Sequence, residues 1–437
     1  MKPFFATLLL LLTASGIHAQ EVWTLRRCID HAVSHNLQIR RSDNQTKQQA
    51  LEVNTARWAR LPNLQAGAGQ SWSWGRAASP VDNSYRNINS SNSNMNLGSS
   101  VPLFTGFELP NRERLSRLNL QLAFQELEKA KEDLSMQVAS LYLQALFQLE
   151  LSGVARGQVE LSRHRYDRIQ GLHTVGKASP AQVAEAKAHL AQEETTLTET
   201  EQAYRLALLE LTQLLDLPSP EGFAIEPPQA DYHPESLPLP DALFDVAVAT
   251  RPAIKAAQLR CQAGKIQTRL AQSALYPQLS LNAGLSTGYY SVNGQNVETL
   301  SKQLKNNLNQ YIGLSLNIPI FSRFGTRNRI RAARLQEVDL ALQLDQDKQR
   351  LYKEIQQAYY NATAAQAKYT SCQAAVEAGQ ASFDLMAQRL DSGTATFLEY
   401  SESQQSLARL LSNRLQAKYD YLFRRKMLLF YQGVPIE

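Results

Sequence analysis

Two segments of the chain alternate between apolar and polar residues, and this period of two predicts β-strands with one apolar and one polar face. In the first segment Trp72 and Trp74 fall on the apolar side, whereas Ser71 and Ser73 fall on the polar side. The other apolar positions are Leu64, Ala66, Ala68, Met95, Leu97, Val101 and Leu103 in the first segment, and Leu279, Leu281, Ala283, Leu285, Tyr289, Ile312, Leu314, Leu316, Ile318 and Ile320 in the second.

Each segment is predicted to form a β-hairpin, over residues 63–104 and 278–321. The Asn- and Ser-rich stretches 76–93 and 291–307 are predicted to be surface loops. Strands with this pattern fit lipid on the apolar face and water on the polar face, as in a transmembrane β-barrel. A half-buried sheet on a soluble core is the alternative that the strands alone leave open.

Long helical stretches follow each hairpin. From Leu120 to Ala145 apolar residues recur at steps of three and four, which predicts a coiled-coil seam. A helix over residues 107–172 would be roughly 100 Å long if unbroken. We predict helical hairpins over residues 107–215 and 325–430, each turning at a glycine. Their apolar seams are narrow, which favours a single wall of helices with water on both surfaces over a globular core.

The second half of the chain repeats the first at an offset of about 215 to 217 residues. Three pairs of short segments carry the repeat: 61–64 with 276–279, 101–104 with 318–321, and 174–177 with 391–394. This predicts two repeats, residues 20–217 and 241–437, joined by a Pro-rich linker over residues 218–240. Each repeat is predicted to open with one helix, over residues 25–60 and 241–275.

The predicted strands require an assembly. Four strands cannot close a barrel, and an open sheet edge in lipid leaves backbone groups unpaired. Two chains would give eight strands, whose side chains fill the lumen, whereas three chains would give twelve strands around a water-filled opening. The same threefold operation would join the helical hairpins into a cylinder of twelve helices. The pattern therefore predicts an α+β membrane protein that is a homotrimer, in contact with outer-membrane lipid.

The N-terminus has the pattern of a secretory signal peptide. Lys2 supplies the positive charge, Phe4 to Leu12 form a short apolar core, and Ala19 precedes the expected cleavage site. We therefore assign residues 1–19 to a signal peptide. After it we find no uninterrupted apolar stretch of about 18 residues, and we expect no transmembrane helix.

Composition and charge indicate no further chemistry. The net charge of +5 is modest, and charges are interspersed along the helices, so we expect no nucleic-acid partner. Cys28, Cys261 and Cys372 are scattered without metal or disulfide spacing. Cys28, His31 and His35 occupy successive helical turns, but they lack a fourth ligand and the loop spacing of zinc sites. No catalytic or phosphate-binding motif is present, so we expect no enzyme, no metal and no cofactor.

The order and spacing of these features resemble the TolC family of outer-membrane efflux proteins. The likeness rests on the signal peptide, the duplication, the Leu-Pro strand start at Leu61, the Val-Pro-Leu-Phe and Ile-Pro-Ile-Phe strand ends, and the turns at Gly176 and Gly393. The resemblance implies a trimer with a twelve-stranded barrel in the Gram-negative outer membrane and an α-helical barrel reaching across the periplasm. It also implies a periplasmic adaptor, an inner-membrane pump and an equatorial position for the linker.

The resemblance further implies an acidic constriction at the periplasmic entrance. The family places two acidic residues, three apart, after the second turn, and Glu399 and Glu402 match them. Because residues three apart share one helix face, a trimer would gather six carboxylates that favour cations. A plain solvated helix face is the alternative. The family's aromatic and basic gate residues are replaced here by Leu390 and Ala395, and the neighbouring Arg389 is a candidate substitute.

Two further sets of residues follow from the pattern. By resemblance, the turns at Gly176 and Gly393, together with Arg389, are candidate adaptor-docking sites, although glycine is also needed for the turn itself. Trp72 and Trp74, two apart on the apolar strand face, are candidates for the aromatic girdle of a membrane interface, with a buried pair as the alternative.

Competing functions remain at this level. A periplasmic coiled-coil scaffold or adaptor without a pore would share the long helices, but it would not explain two alternating hairpins at duplicated positions. A secreted enzyme would require clustered carboxylates in a globular core, which we do not find. Within the channel class, small-molecule efflux and type I protein secretion are not distinguished by the sequence.

Overall fold

The structure of the chain, a computed structural model, describes residues 21–78, 83–226, 237–294 and 296–434. The predicted signal peptide lies outside these residues, as does the middle of the linker. The helices are α1 (Leu25–His35), α2 (Leu37–Trp58), α3 (Glu108–Thr174), α4 (Pro180–Leu214), α5 (Pro240–Thr250), α6 (Pro252–Ser273), α7 (Leu300–Asn306), α8 (Gly325–Asp391) and α9 (Phe397–Tyr431). The strands are β1 (Glu21–Trp23), β2 (Gln65–Ala78), β3 (Tyr85–Phe104), β4 (Phe223–Ile225), β5 (Gln278–Val292) and β6 (Asn309–Asn317).

The chain divides into two compact units, and each takes residues from both predicted repeats. The helical unit comprises the described residues of 1–44, 125–255 and 346–437. The sheet unit comprises the described residues of 45–124 and 256–345, and it contains β2, β3, β5 and β6.

The prediction of a single helix at the start of each repeat is wrong, because two consecutive helices form there in both repeats. Asn36 ends α1 and caps α2, since its Oδ1 accepts hydrogen bonds from the N–H groups of Gln38 (2.9 Å) and Ile39 (3.4 Å). At the matching place Arg251 is extended (ψ 125°) before Pro252, which opens α6. Proline disfavours helical geometry in the residue before it, so α5 ends there.

The core of the helical unit anchors two short strands that the sequence analysis missed. Strand β1 pairs in parallel with β4, which lies within the predicted linker. The hydroxyl of Tyr142 on α3, 3% exposed, lies 2.9 Å from the carbonyl oxygen of Trp23 and 2.8 Å from that of Glu226. Burial raises the pKa of Tyr142. The tyrosine thereby holds the ends of both strands on the helix.

Helix α3 meets the length and hydropathy criteria for a membrane-spanning helix, although the sequence analysis expected no such helix. By length and composition α3 is apolar enough to cross a membrane, and 44% of its most apolar window is buried inside the chain. Core helices of soluble proteins pass the same test, so composition alone does not assign α3 to the bilayer.

The sheet unit contains a four-stranded antiparallel sheet in the order β2-β3-β5-β6. Its register confirms the predicted alternation. Leu281 on β5 lies between Val101 and Leu314, whereas the apolar row on β3 is interrupted at Ser99, opposite Ala283. Ile312 is 75% exposed and Leu314 is 67% exposed, so the part of this apolar face on β6 is uncovered among the residues that the structure describes.

The opposite face of the sheet is polar and closely packed around glycines. A Cβ atom at Gly284 would lie 2.6 Å from the ring of Tyr311, its neighbour on β6. At Gly67 it would lie 2.8 Å from the amide oxygen of Asn96 on β3. Glycine at these positions lets the larger polar side chains lie flat across the sheet.

Both predicted hairpin loops are wrong in extent. Strand β2 continues to Ala78, and β3 already begins at Tyr85, so most of the stretch 76–93 is strand. In the second hairpin α7 occupies part of the stretch 291–307. Polar side chains do not prevent strand formation where neighbouring strands supply hydrogen bonds on both sides, as β2 and β5 do for β3.

Candidate gate at the helical turns

The two turns between the long helices have the same backbone geometry. Gly176 has φ +73° and Gly393 has φ +72°, and both stand in open space where a Cβ would meet nothing within 4 Å. The left-handed backbone itself therefore requires glycine. The closing bonds match as well: Gly176 N–H to His173 O (2.9 Å), Lys177 N–H to Leu172 O (2.8 Å), Gly393 N–H to Leu390 O (3.1 Å) and Thr394 N–H to Arg389 O (2.8 Å).

The helix after each turn begins with a capping box. In α4 Ser179 and Gln182 exchange side-chain-to-backbone hydrogen bonds of 3.3 and 2.9 Å. In α9 the Glu399 carboxylate accepts from the Thr396 N–H (2.7 Å) and hydroxyl (2.9 Å), and the Glu399 N–H donates to the Thr396 hydroxyl (3.3 Å). The backbone hydrogen bond from Thr396 lowers the pKa of Glu399, with the hydroxyl adding to the effect. Glu399 thus has a structural task at the helix start.

Glu402 lies one turn further along α9 and its side chain is exposed. Unlike Glu399, it follows the capping box. The corresponding residue after the first turn is Glu185 on α4, which is also exposed. The two predicted carboxylates therefore differ: Glu399 is held by the cap, and Glu402 faces solvent.

Arg389 and Leu390 both have contacts within the chain. The Arg389 guanidinium donates to the carbonyl of Thr394 in its own turn (3.5 Å). Leu390 packs against a buried cluster that contains Phe383, Tyr400 and Leu407.

Two arginines of α3 connect the first helical hairpin to the second, and the sequence analysis missed both. Arg168 Nη1 lies 2.7 Å from Asp391 Oδ1, which is at the end of α8. Arg165 places its guanidinium 4.3 Å from the centre of the Tyr400 ring on α9. Burial lowers the pKa of Arg165. The ion pair is exposed, with both side chains more than half accessible, whereas Tyr400 is 3% exposed.

Polar contacts continue along the seam between α3 and α9. Gln404, 3% exposed, donates to Gln158 (2.9 Å) and to the hydroxyl of Ser162 (3.2 Å). Further along, Glu150 accepts hydrogen bonds from Lys418 (2.9 Å) and Tyr419 (2.7 Å). A seam joined by hydrogen bonds as well as apolar side chains fixes one alignment of the two helices.

The two tryptophans of β2 lie on the apolar face and are exposed. Trp72 is 62% exposed and Trp74 is 74% exposed, so they are not a buried pair within this chain. They stand opposite Ser91 and Asn89 on β3.

Among the residues that the structure describes, no group of three or more His, Cys, Asp or Glu side chains has the arrangement of a metal site. His31 and His35 stack with ring centres 4.2 Å apart. Burial raises the pKa of the Cys28 thiol to about 12, which disfavours the thiolate that a metal would bind.

Comparisons with known proteins place these features in a family. A family profile described as "Outer membrane efflux protein" matches residues 28–216 and 243–433. Protein CyaE of Bordetella pertussis is 27% identical over 346 residues, which cover 79% of this chain and 70% of that protein. The pyoverdine export outer membrane protein OpmQ of Pseudomonas aeruginosa is 26% identical over 282 residues, 62% of this chain and 55% of that protein.

Two solved structures share the fold. The CmeC outer membrane channel of Campylobacter jejuni superposes with a TM-score of 0.79 at 17% identity, covering 94% of this chain and 86% of that chain. The outer membrane protein VceC of Vibrio cholerae gives 0.76 at 18% identity, covering 94% and 97%. These likenesses confirm the predicted fold of the single chain, and the predicted trimeric barrel stays a prediction.

Proposed function

The chain belongs to the outer membrane efflux protein family, and we propose that three copies of it close the outer-membrane duct of a tripartite export system. Proteins of this family are channels that work with adaptors and pumps. The chain is accordingly an export channel of the Gram-negative outer membrane. The family is a transport family, and its channels are not enzymes.

The sheet carries the proposal of a closed duct. Among the described residues, the sheet presents an exposed apolar face, and its outer strands β2 and β6 each have one edge without a neighbouring strand. In a membrane those edges need partners, because unpaired backbone groups cost several kcal/mol each in hydrocarbon, on the order of 2–7 kcal/mol. Pairing β6 of one copy with β2 of the next satisfies both edges at once. Three copies then give twelve strands around a water-filled opening, which a poreless scaffold would not need.

A proline on the free edge of β6 is expected to prevent assembly. The backbone N–H and C=O groups of even-numbered β5 residues point to the side of β5 on which β6 lies. Gly288 and Tyr290 indicate this, because their backbone groups bond to Asn307 and Gln303 on that side. Ile312, opposite the odd-numbered Ala283, therefore directs its N–H to the free edge. Ile312→Pro removes that donor, and we expect native mass spectrometry to show single protomers where the wild-type protein gives three copies.

Ile312→Val is the matched control, because it keeps both the β-branched side chain and the N–H. It should assemble like the wild-type protein. Trimers of unchanged stability in the Ile312→Pro protein would rule out closure through this edge.

The partners and cargo follow from the family and its members. We place the periplasmic adaptor at the turns around Gly176, Gly393 and Arg389, supported by their exposure and matched geometry. One relative's name refers to pyoverdine export and another's to alkaline protease secretion. These names support the proposal that the duct exports small molecules or, alternatively, proteins.

Glu399 and Glu402 are proposed to form the acidic constriction. Glu402→Gln is expected to lower the cation-to-anion permeability ratio severalfold in single-channel recordings, because it removes an exposed charge from each copy without disturbing the cap. Glu185→Gln makes the same charge change at the matching place of the other hairpin and serves as control. An equal effect of both substitutions, or none from Glu402→Gln, would remove Glu402 from the constriction.

Trp72 and Trp74 are proposed to lie at the membrane interface. Their exposure on the apolar face, beyond the aliphatic rows of the sheet, supports this position. Tryptophan combines an apolar ring with a polar N–H, and it is enriched where hydrocarbon meets headgroups.

The ion pair of Arg168 with Asp391 is proposed to hold the two helical hairpins of one copy together at the entrance. It takes the place of the family's gate residues, which Leu390 and Ala395 replace. The stacking of Arg165 on Tyr400 acts at the same junction.

A further inference from the structure

Helix α7 covers a stretch of sheet edge that β6 leaves open. Strand β6 ends its pairing at Ser286, whereas β5 continues to Val292. Gln303 of α7, 3% exposed, accepts from the N–H of Tyr290 (3.0 Å) and donates to its carbonyl oxygen (2.9 Å). The amide side chain thus makes the two bonds that a neighbouring strand would make.

The helix is also fixed over the apolar face of the sheet. The hydroxyl of Thr287, which shares that face with Leu285, donates to the carbonyl of Leu304 (2.7 Å). Beneath the end of α7 lies an open groove of about 440 Å³ on this face. Its apolar lining consists of Ala66, Ala68, Met95, Leu97, Leu285 and Leu308.

Along the strand direction, α7 lies at the same level as Trp72 and Trp74. Tyr290 pairs with Asn92, which pairs with Ser71, the neighbour of Trp72. The helix therefore stands at the level proposed for the membrane interface. It is also at the end of the strands opposite to the residues that lead into α3 and α8, which is the outer end of a channel whose helices extend into the periplasm.

Two lysines give the exposed side of α7 a positive charge. Lys302 and Lys305 are exposed and lie three apart, so they share one side of the helix. The acidic residue beside them is Glu298, whose carboxylate accepts a hydrogen bond from Asn306 (3.0 Å). Lys305 lies between Leu304, which is bonded to Thr287, and Leu308, which lines the groove. The two lysines and the apolar groove therefore lie at the same end of the sheet, joined by the segment from Lys305 to Leu308.

We propose that this groove and its two lysines bind a phosphorylated glycolipid of the outer leaflet, the lipid A part of lipopolysaccharide. One acyl chain lies in the groove against the small side chains of Ala66 and Ala68. The phosphate on the sugar is bound by Lys302 and Lys305, with lysine stems lying along the apolar surface. This inference rests on the placement of the sheet in the outer membrane.

The test compares lipids on the detergent-extracted trimer by native mass spectrometry. The probes are bis-phosphorylated lipid A, dephosphorylated lipid A and phosphatidylglycerol. We expect the wild-type protein to bind bis-phosphorylated lipid A about tenfold more tightly than the other two lipids. The double variant Lys302→Gln, Lys305→Gln should lose that preference. The double variant Lys353→Gln, Lys368→Gln makes the same charge change on exposed positions of α8 and should keep it.

Further variants and lipids test the groove and the two lysines separately. Ala68→Leu fills the groove and should weaken binding of lipid A with or without phosphates. Equal binding of phosphatidylglycerol through the same lysines would overturn the assignment to the outer-leaflet glycolipid. Unchanged preference in the Lys302, Lys305 variant would overturn the site. Because all variants should conduct ions like the wild-type channel, a failure of lipid binding is distinguishable from a failure of the duct.

Discussion

Replacing Gln303 with leucine is expected to lower the free energy of unfolding by about 3 kcal/mol, although leucine has a similar volume. The substitution removes the two bonds to Tyr290 and a third, from Nε2 to the carbonyl of Glu298 (2.8 Å). The Tyr290 N–H and carbonyl would then be left unpaired at the edge of a membrane sheet, where water supplies little compensation. Urea titration of protein folded into lipid vesicles measures the effect.

Gln310→Leu is the matched control for this prediction. Gln310 is exposed on β6, so the same chemical change there should alter the free energy of unfolding by less than about 0.5 kcal/mol. If Gln303→Leu lowered the free energy of unfolding no more than Gln310→Leu does, α7 would not stabilise the edge of β5.

The second large effect is expected from Asp391→Arg at the helical turns. The native Asp391 pairs with Arg168 at 2.7 Å, and Arg165 is close by on the same helix. The substitution replaces an attraction with repulsion between like charges. An exposed pair is worth at most about 1 kcal/mol, and the repulsion adds a similar amount. The time that a single channel spends open should therefore rise by up to about thirtyfold, since each 1.4 kcal/mol corresponds to about a factor of ten.

The charge swap provides the control. The double variant Arg168→Asp, Asp391→Arg restores an ion pair with reversed direction, and it should return the open time towards that of the wild-type channel. Raised salt should diminish the difference between wild-type and Asp391→Arg channels, because screening weakens exposed charges. An open time in Asp391→Arg equal to that of the wild-type channel would show that the pair does not hold the entrance.

The fold followed from the sequence where a periodic pattern extended over many residues. The alternation around Leu281 and Leu314 specified one apolar face, and the register of the sheet bears it out. The breaks at Asn36 and Arg251 were missed, because the apolar pattern runs through them. Local signals were present in both cases: asparagine is a good helix cap, and Pro252 follows Arg251.

Contacts between distant residues were beyond sequence reasoning. Arg168 and Asp391 are 223 residues apart, and nothing in either neighbourhood identifies the other. The role of Glu399 as a cap was visible in the Thr396-x-x-Glu399 spacing, yet the family resemblance directed attention to its charge. The covering of β5 by Gln303 depends on where β6 stops, which composition does not specify.

The central claim is that several copies of this sheet enclose a water-filled duct. Single-channel recording of the purified Asp391→Arg protein in a planar bilayer tests it most directly, because the entrance of that variant is held less tightly. Our account predicts long-lived conductance steps of one uniform size, which are absent when the Ile312→Pro protein is added instead. Folded, membrane-inserted Asp391→Arg protein that never conducts would contradict the account.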